Sequence, residues 1–177
     1  MIIRHPTLAP RAESALVEMI DLAPTILDIL NVTPLEGLDG RSLLGLLEGG
    51  TAEHRNIVFS EYLHDNKAMV RTERWKYVFT TGKEDLSLGY STVQGPSGRD
   101  QRLYDMNEDP GEFNDLADSP ESASVIRELR KAMLDVFLQT DPRASDVPND
   151  LPIEEQLEWF LEPPELSLPP DAFVRNE

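Results

Sequence analysis

Apolar positions recur along this chain with two different periods, and each period predicts its own kind of element. Residues 56–63, 68–72, 75–81 and 102–105 are short strand-like runs. The second and third runs are joined by the polar step Thr72-Glu73-Arg74, which predicts a hairpin. A further strand is expected at residues 1–4, ended by Pro6, because proline cannot donate to a ladder. Helical spacing replaces alternation at Leu22, Ile26, Ile29 and Leu30, predicting a helix over 22–30 with one apolar face. Asp21 is placed to cap it, Pro24 falls in the first turn where no N–H is needed, and Asn31 and Pro34 stop it.

The turn 37–41 leads to a short helix of leucines capped by Ser42 and closed by Gly49-Gly50. Residues 82–101 are rich in Gly, Ser and charge and read as a long exposed loop, and Asp109-Pro110-Gly111 as a turn. Ser119, with Pro120 at the first helical position, opens a helix predicted to reach about 138. Its broad apolar face is Val125, Ile126, Leu129, Met133, Val136 and Phe137. From residue 142 onward the character changes: seven of the 14 prolines lie there, and nine acids face two bases. One helical island, 153–161, survives with Leu157, Trp159, Phe160 and Leu161 as anchors for this chain's own sheet or, preferably, a second subunit. Such an acidic, proline-broken segment wraps a surface rather than folding alone.

These elements add up to an α+β fold, a small antiparallel sheet of about four strands packed with helices, followed by an extended acidic tail. Hydrophobic residues at 40% suffice for a modest core and exclude wholesale disorder. The formal charge of −17 repels phosphate backbones and anionic lipid, so neither nucleic acid nor a membrane surface is an expected partner. Cysteine is absent, which excludes disulfides, thiolate zinc sites and a thiol nucleophile.

Four stretches, in fixed order, resemble the C-terminal half of the sulfatase family of the alkaline phosphatase superfamily. Ile2-Ile3-Arg4-His5-Pro6 resembles the family strand P-hydrophobic-hydrophobic-R-x-P, and Asp21-Leu22-Ala23-Pro24-Thr25-Ile26-Leu27-Asp28 its D-L-x-P-T-x-L-D helix. Asp39-Gly40-Arg41-Ser42-Leu43 is similar to its G-x-S-L turn. Met69-Val70-Arg71-Thr72 through Trp75-Lys76-Tyr77, then Leu103-Tyr104-Asp105-Met106 and Asp109-Pro110-Gly111-Glu112, resemble its late sheet and exit. The resemblance implies that residues 1–50 are the end of an α/β lobe, 51–140 the C-terminal sheet and long helix, and 141–177 the tail.

It also implies hydrolysis of sulfate esters on a sulfated small molecule or sugar. A formylglycine from a C/S-x-P-x-R motif and a divalent cation, calcium being expected, would serve the complete enzyme. No such motif is present, and Gln94-Gly95-Pro96-Ser97-Gly98-Arg99 reads as loop. The chain is therefore expected to begin inside the family domain, to carry no catalytic residue and no metal ligand, and to be inactive alone. The alternatives are a phosphate or phosphonate monoester hydrolase of the same superfamily, or a non-catalytic binding or oligomerisation module. A homo-oligomer through the tail is a further expectation.

Several residues could still carry chemistry. In Glu61-Tyr62-Leu63-His64-Asp65-Asn66, the resemblance puts the loop after the strand at the substrate cleft, which makes His64 the candidate substrate contact. Three adjacent side chains cannot converge on one ion without a special loop, so a metal is not expected there. Arg71, Arg74 and Lys76 are anion-binding candidates, although pairing with this chain's many carboxylates is the expected use. Trp75 and Tyr77 alternate with Lys76 and are expected in the core, and His5 at a strand end.

Overall fold

The computed structural model describes residues 1–33, 36–50, 54–62, 66–82 and 99–161. Four strands, β1 (Val58–Tyr62), β2 (Lys67–Arg71), β3 (Trp75–Thr80) and β4 (Asp100–Asp105), form an antiparallel sheet in the order β1-β2-β3-β4. The helices are α1 (Leu22–Ile29), α2 (Leu44–Leu47), α3 (Ala123–Thr140) and α4 (Ile153–Leu161). Each strand and long helix falls within a few residues of its sequence prediction.

Alternation puts one row of side chains on one sheet face. Phe59, Val70, Tyr77 and Leu103 lie opposite one another across the four strands, with Ala68 beside Phe79. The tight step after β2 fixes this register: the Thr72 N–H donates to Trp75 O at 2.8 Å, and the Trp75 N–H to Thr72 Oγ1 at 2.9 Å. That face meets Ile126, Leu129, Met133 and Phe137 of α3, and all but the edge residue Phe59 are buried. Leu134, on the same helix, is buried in place of the predicted Val125 and Val136, which pack at the margin or outside it.

Helix α4 completes the core beside α3. Leu157, Phe160 and Leu161 are fully buried, and the Phe160 ring stacks on Phe137 at 4.9 Å with only 4° between planes. Phe59 meets the Phe137 ring edge-on at 5.1 Å, so three aromatics tie sheet, long helix and tail helix together. The anchors offered to sheet or subunit are thus filled within one chain, chiefly against α3. Polar ties complete the seam. Arg130 of α3 donates from Nε to Tyr77 Oη at 2.9 Å and from Nη2 to Gln101 Oε1 at 2.6 Å, and it pairs with Glu154 of α4. A nine-residue helix is not stable alone in water, so this docking is what makes α4 helical.

Two local expectations change. Residues 1–4 form no strand, and Met1 and Ile2 lie exposed, because no described strand offers them a ladder. Ser119 precedes a 3-10 turn, Pro120–Ser122, but makes no side-chain cap. The predicted loop at 82–101 falls largely outside the described residues, as does the tail beyond 161.

Replacing Phe160 with alanine removes the stacked ring and should lower unfolding free energy by about 3–5 kcal/mol. A urea melt of the variant reads this directly, and a loss below about 1 kcal/mol would mean that α4 does not share the core.

Candidate functional site

The predicted cap residue Asp21 has a different role. It ends a 3-10 turn (Met19–Asp21), is fully buried, and makes no side-chain cap to α1. Its carboxylate instead gathers donors from three segments. Oδ1 accepts the Arg41 N–H at 2.8 Å and an Arg55 Nη2–H, while Oδ2 accepts the Glu18 N–H at 2.8 Å and Arg55 Nε–H at 3.3 Å. His54 Nε2 lies 3.1 Å from Oδ2. Glu18 flanks the other side of the guanidinium, 2.9 Å from Arg55 Nη1, and its Oε1 accepts the Phe59 N–H of edge strand β1 at 2.7 Å.

Two of the sequence motifs interlock here. Asp21, Thr25 and Asp28 recur at i, i+4 and i+7, on one side of α1. They meet three consecutive residues: Asp21 holds the Arg41 N–H, Thr25 Oγ1 accepts the Leu43 N–H at 2.8 Å, and Asp28 Oδ2 accepts the Ser42 hydroxyl at 2.6 Å. Gly40 is required by this contact, since a Cβ there would lie 2.1 Å from Ile20 O. Ser42 Oγ also accepts the Leu44 N–H at 3.2 Å, so it supports the start of α2 as expected.

Burial alone would raise the Asp21 pKa. The hydrogen bonds from Arg55, Arg41, Glu18 and His54 outweigh it and hold the carboxyl far below its ordinary value. A carboxylate so saturated offers no lone pair to a substrate proton or a metal. Among the described residues no three His, Asp or Glu side chains converge as ligands. The formylglycine and divalent cation implied for a complete enzyme therefore do not fit this set of donors.

A cleft of about 760 Å³ opens beside the cluster, with Met19, Arg55, Ser60, Glu61 and Gln139 among its walls. His64 lies outside the described residues. The basic trio separates: Arg74 donates to Asp105 at 2.8 Å, Lys76 contacts both Glu112 oxygens at 2.7 and 2.8 Å, and among the described residues the buried Arg71 Nε has no hydrogen-bond partner. Tyr77 is buried and Trp75 packs at the core margin, as expected, while His5 makes only a local contact with Thr7 and ends no strand. Gln94 to Gly98 lie outside the described residues, and Arg99 pairs with Glu158 at 2.7 Å. Sequence reasoning missed His54 and Arg55, which stand 33 and 34 residues from Asp21 with no motif to link them.

The family model for the C-terminal region of N-sulphoglucosamine sulphohydrolase matches residues 1–139. The chain belongs to this sulfatase family. An ulvan-active sulfatase of Formosa agariphila is 28% identical over 141 residues, covering 67% of this chain and 28% of that protein. A structure solved with its substrate D-glucosamine-2-N,6-O-disulfate is 25% identical with a TM-score of 0.54, covering 76% of this chain and 25% of the other. A phosphonate monoester hydrolase of Silicibacter pomeroyi shares the fold, with a TM-score of 0.60 at 24% identity over 81% of this chain and 29% of its own. The chain thus spans little more than a quarter of the length of the relatives it matches.

Asp21→Asn should destabilise this sulfatase lobe by on the order of 3 kcal/mol near neutral pH, because Arg55 loses its buried counter-charge. The sign with pH follows from the depressed carboxyl. Its contribution is full above the ordinary carboxylate value near 3.8 and is lost as pH falls. In urea melts the gap between parent and variant should therefore hold from pH 7 to about pH 4 and begin to narrow only below that, and a gap that stayed constant to the acid limit of folding would contradict the assignment.

Proposed function

We propose that this chain acts as the C-terminal portion of a sulfatase, a sulfuric ester hydrolase. Residues 1–50 would complete an α/β lobe, 51–140 would form the C-terminal sheet and long helix that wall the cleft, and 141–177 would be an acidic, proline-rich tail. The observation that carries this reading is the inverted orientation of α1. Of its polar side, Asp21 and Thr25 are buried against the 41–43 turn, and Asp28 meets Ser42 at the exposed margin. Its apolar positions Ile26, Ile29 and Leu30 face outward beside exposed Met19 and Ile20. An apolar patch on a helix whose polar side is already engaged is built to be covered by another surface, and the relatives carry far more chain than this one.

In a complete enzyme the formylglycine hydrate and the cation would supply the attack on sulfur, spreading charge over the sulfuryl oxygens. This chain would supply walls and contacts, with His64 proposed to touch the sulfated group. A sulfated sugar is the substrate class that fits the relatives acting on ulvan and on glucosamine disulfate. A second reading, a phosphonate monoester hydrolase, draws on the fold shared with that enzyme.

Purified alone, the chain should not hydrolyse an aryl sulfate, with or without calcium. Turnover above background that survives a second purification would sink the proposal. Ile26→Asp with Leu30→Asp should leave the isolated chain's melt within about 1 kcal/mol, since both positions are exposed. The same change should abolish binding to a sulfatase α/β lobe carrying the C/S-x-P-x-R motif. Undiminished binding by the double variant would place the interface elsewhere.

A further inference from the structure

The sheet face turned away from α3 gathers cations in a chain that is otherwise strongly acidic. Alternation places Lys67, Met69 and Arg71 of β2, Lys76 and Val78 of β3, and Arg102 and Tyr104 of β4 on this face. Register sets Arg71 directly opposite Lys76 on one side and Val58 on the other. Like charges directly opposite are unfavourable unless each finds an anion. Lys76 has one: Glu112 reaches it with both oxygens from a left-handed backbone position, φ 60°. Arg102 has Asp100 at 3.7 Å, Arg74 in the adjoining turn has Asp105, and Lys67 is also engaged.

Among the described residues Arg71 has no such partner. It is half-buried, its Nε is sealed from water with no hydrogen-bond acceptor, and no carboxylate pairs with its head group. Scarcity of acids does not explain this, since 33 acidic residues face 16 basic ones. Glu112 holds Lys76 and leaves its neighbour bare. The planar fork of a guanidinium matches two oxygens of one carboxylate or sulfate. Val58 and Met69, both half-buried, lower the local dielectric beside it, which strengthens a charge-assisted bond.

We propose that Arg71 is the anchor of an oxyanion site on this sheet face, taking a sulfate or carboxylate group carried by a ligand. The geometry that supports it is independent of the sulfatase reading. Lys76 adds positive field without competing for the anion, because Glu112 already occupies it.

The test uses the intact chain, with sodium sulfate and sodium acetate titrated separately at ionic strength held constant with chloride. The arginine Nε–H resonances are followed by NMR. Arg71 should shift along a saturating curve, with half-saturation at least about tenfold below that of exposed Arg102, the internal control for loose ion pairing. Response to both salts identifies a general oxyanion site, and response to one names the group. Arg71→Gln should abolish the saturating response and Arg71→Lys should weaken it about tenfold, the charge being kept and the fork lost. Linear, parallel shifts at Arg71 and Arg102 would overturn the proposal. So would an Arg71 Nε–H that is already protected and indifferent to both salts, since a carboxylate of this chain would then hold it.

Discussion

The first third of the chain is tied to the sheet through a buried carboxylate, Asp21, and the ion pairs it anchors. Asp21 lies fully buried, and that burial alone would destabilise its charge. Donors from residues 18, 41, 54 and 55 converge on its two oxygens and reverse the balance. Arg55 then carries the connection on to Glu18, and Glu18 binds the backbone of edge strand β1. The cluster fixes the 3-10 turn, the 39–41 turn and the approach to the sheet at once. It also caps one amide on an otherwise open strand edge, where unpaired backbone groups invite association.

The rest of the fold is held by different physics. Sheet, α3 and α4 share one apolar seam, in which Phe59, Phe137 and Phe160 form a continuous aromatic contact. A polar network crosses that seam, Arg130 bridging Tyr77, Gln101 and Glu154. The contrast has a functional consequence. The aromatic half is sealed within the chain, whereas the electrostatic half turns polar groups inward on α1 and leaves Ile26, Ile29 and Leu30 outside. One half is finished by its own packing, and the other presents a surface to something else.

Charge follows the same division. The acidic excess supplies partners for the cations of the sheet and helices, as in Arg74–Asp105, Lys76–Glu112 and Arg99–Glu158. Each exposed pair of this kind adds little stability, and their value lies in fixing where turns sit relative to strands. Lys76–Glu112 pins the turn after β4 onto the sheet at the expense of a left-handed glutamate. Arg71 departs from the pattern, and on a face where neighbouring cations are satisfied its isolation has chemical meaning.

By itself the sequence determined the strands, the long helix and the bounds of α4, because a period of two or of 3.6 is a local property that any window of ten residues displays. It also determined the family, since the motifs at residues 2–6, 21–28, 39–43 and 69–112 keep a fixed order. Only the tertiary structure decided what those motif residues do. Asp21 looks like a helix cap in sequence, and the fold gives its oxygens to groups as distant as 34 residues along the chain. The leading Ile2-Ile3 has the composition of a strand, but a strand needs a neighbour, and among the described residues none lies beside it. Arg71, Arg74 and Lys76 are equivalent as letters; the end of β4 and the turn after it bring carboxylates to Arg74 and Lys76, and among the described residues none reaches Arg71 Nε. Periodicity is written within a segment, whereas the pairing of buried charges depends on which segments meet.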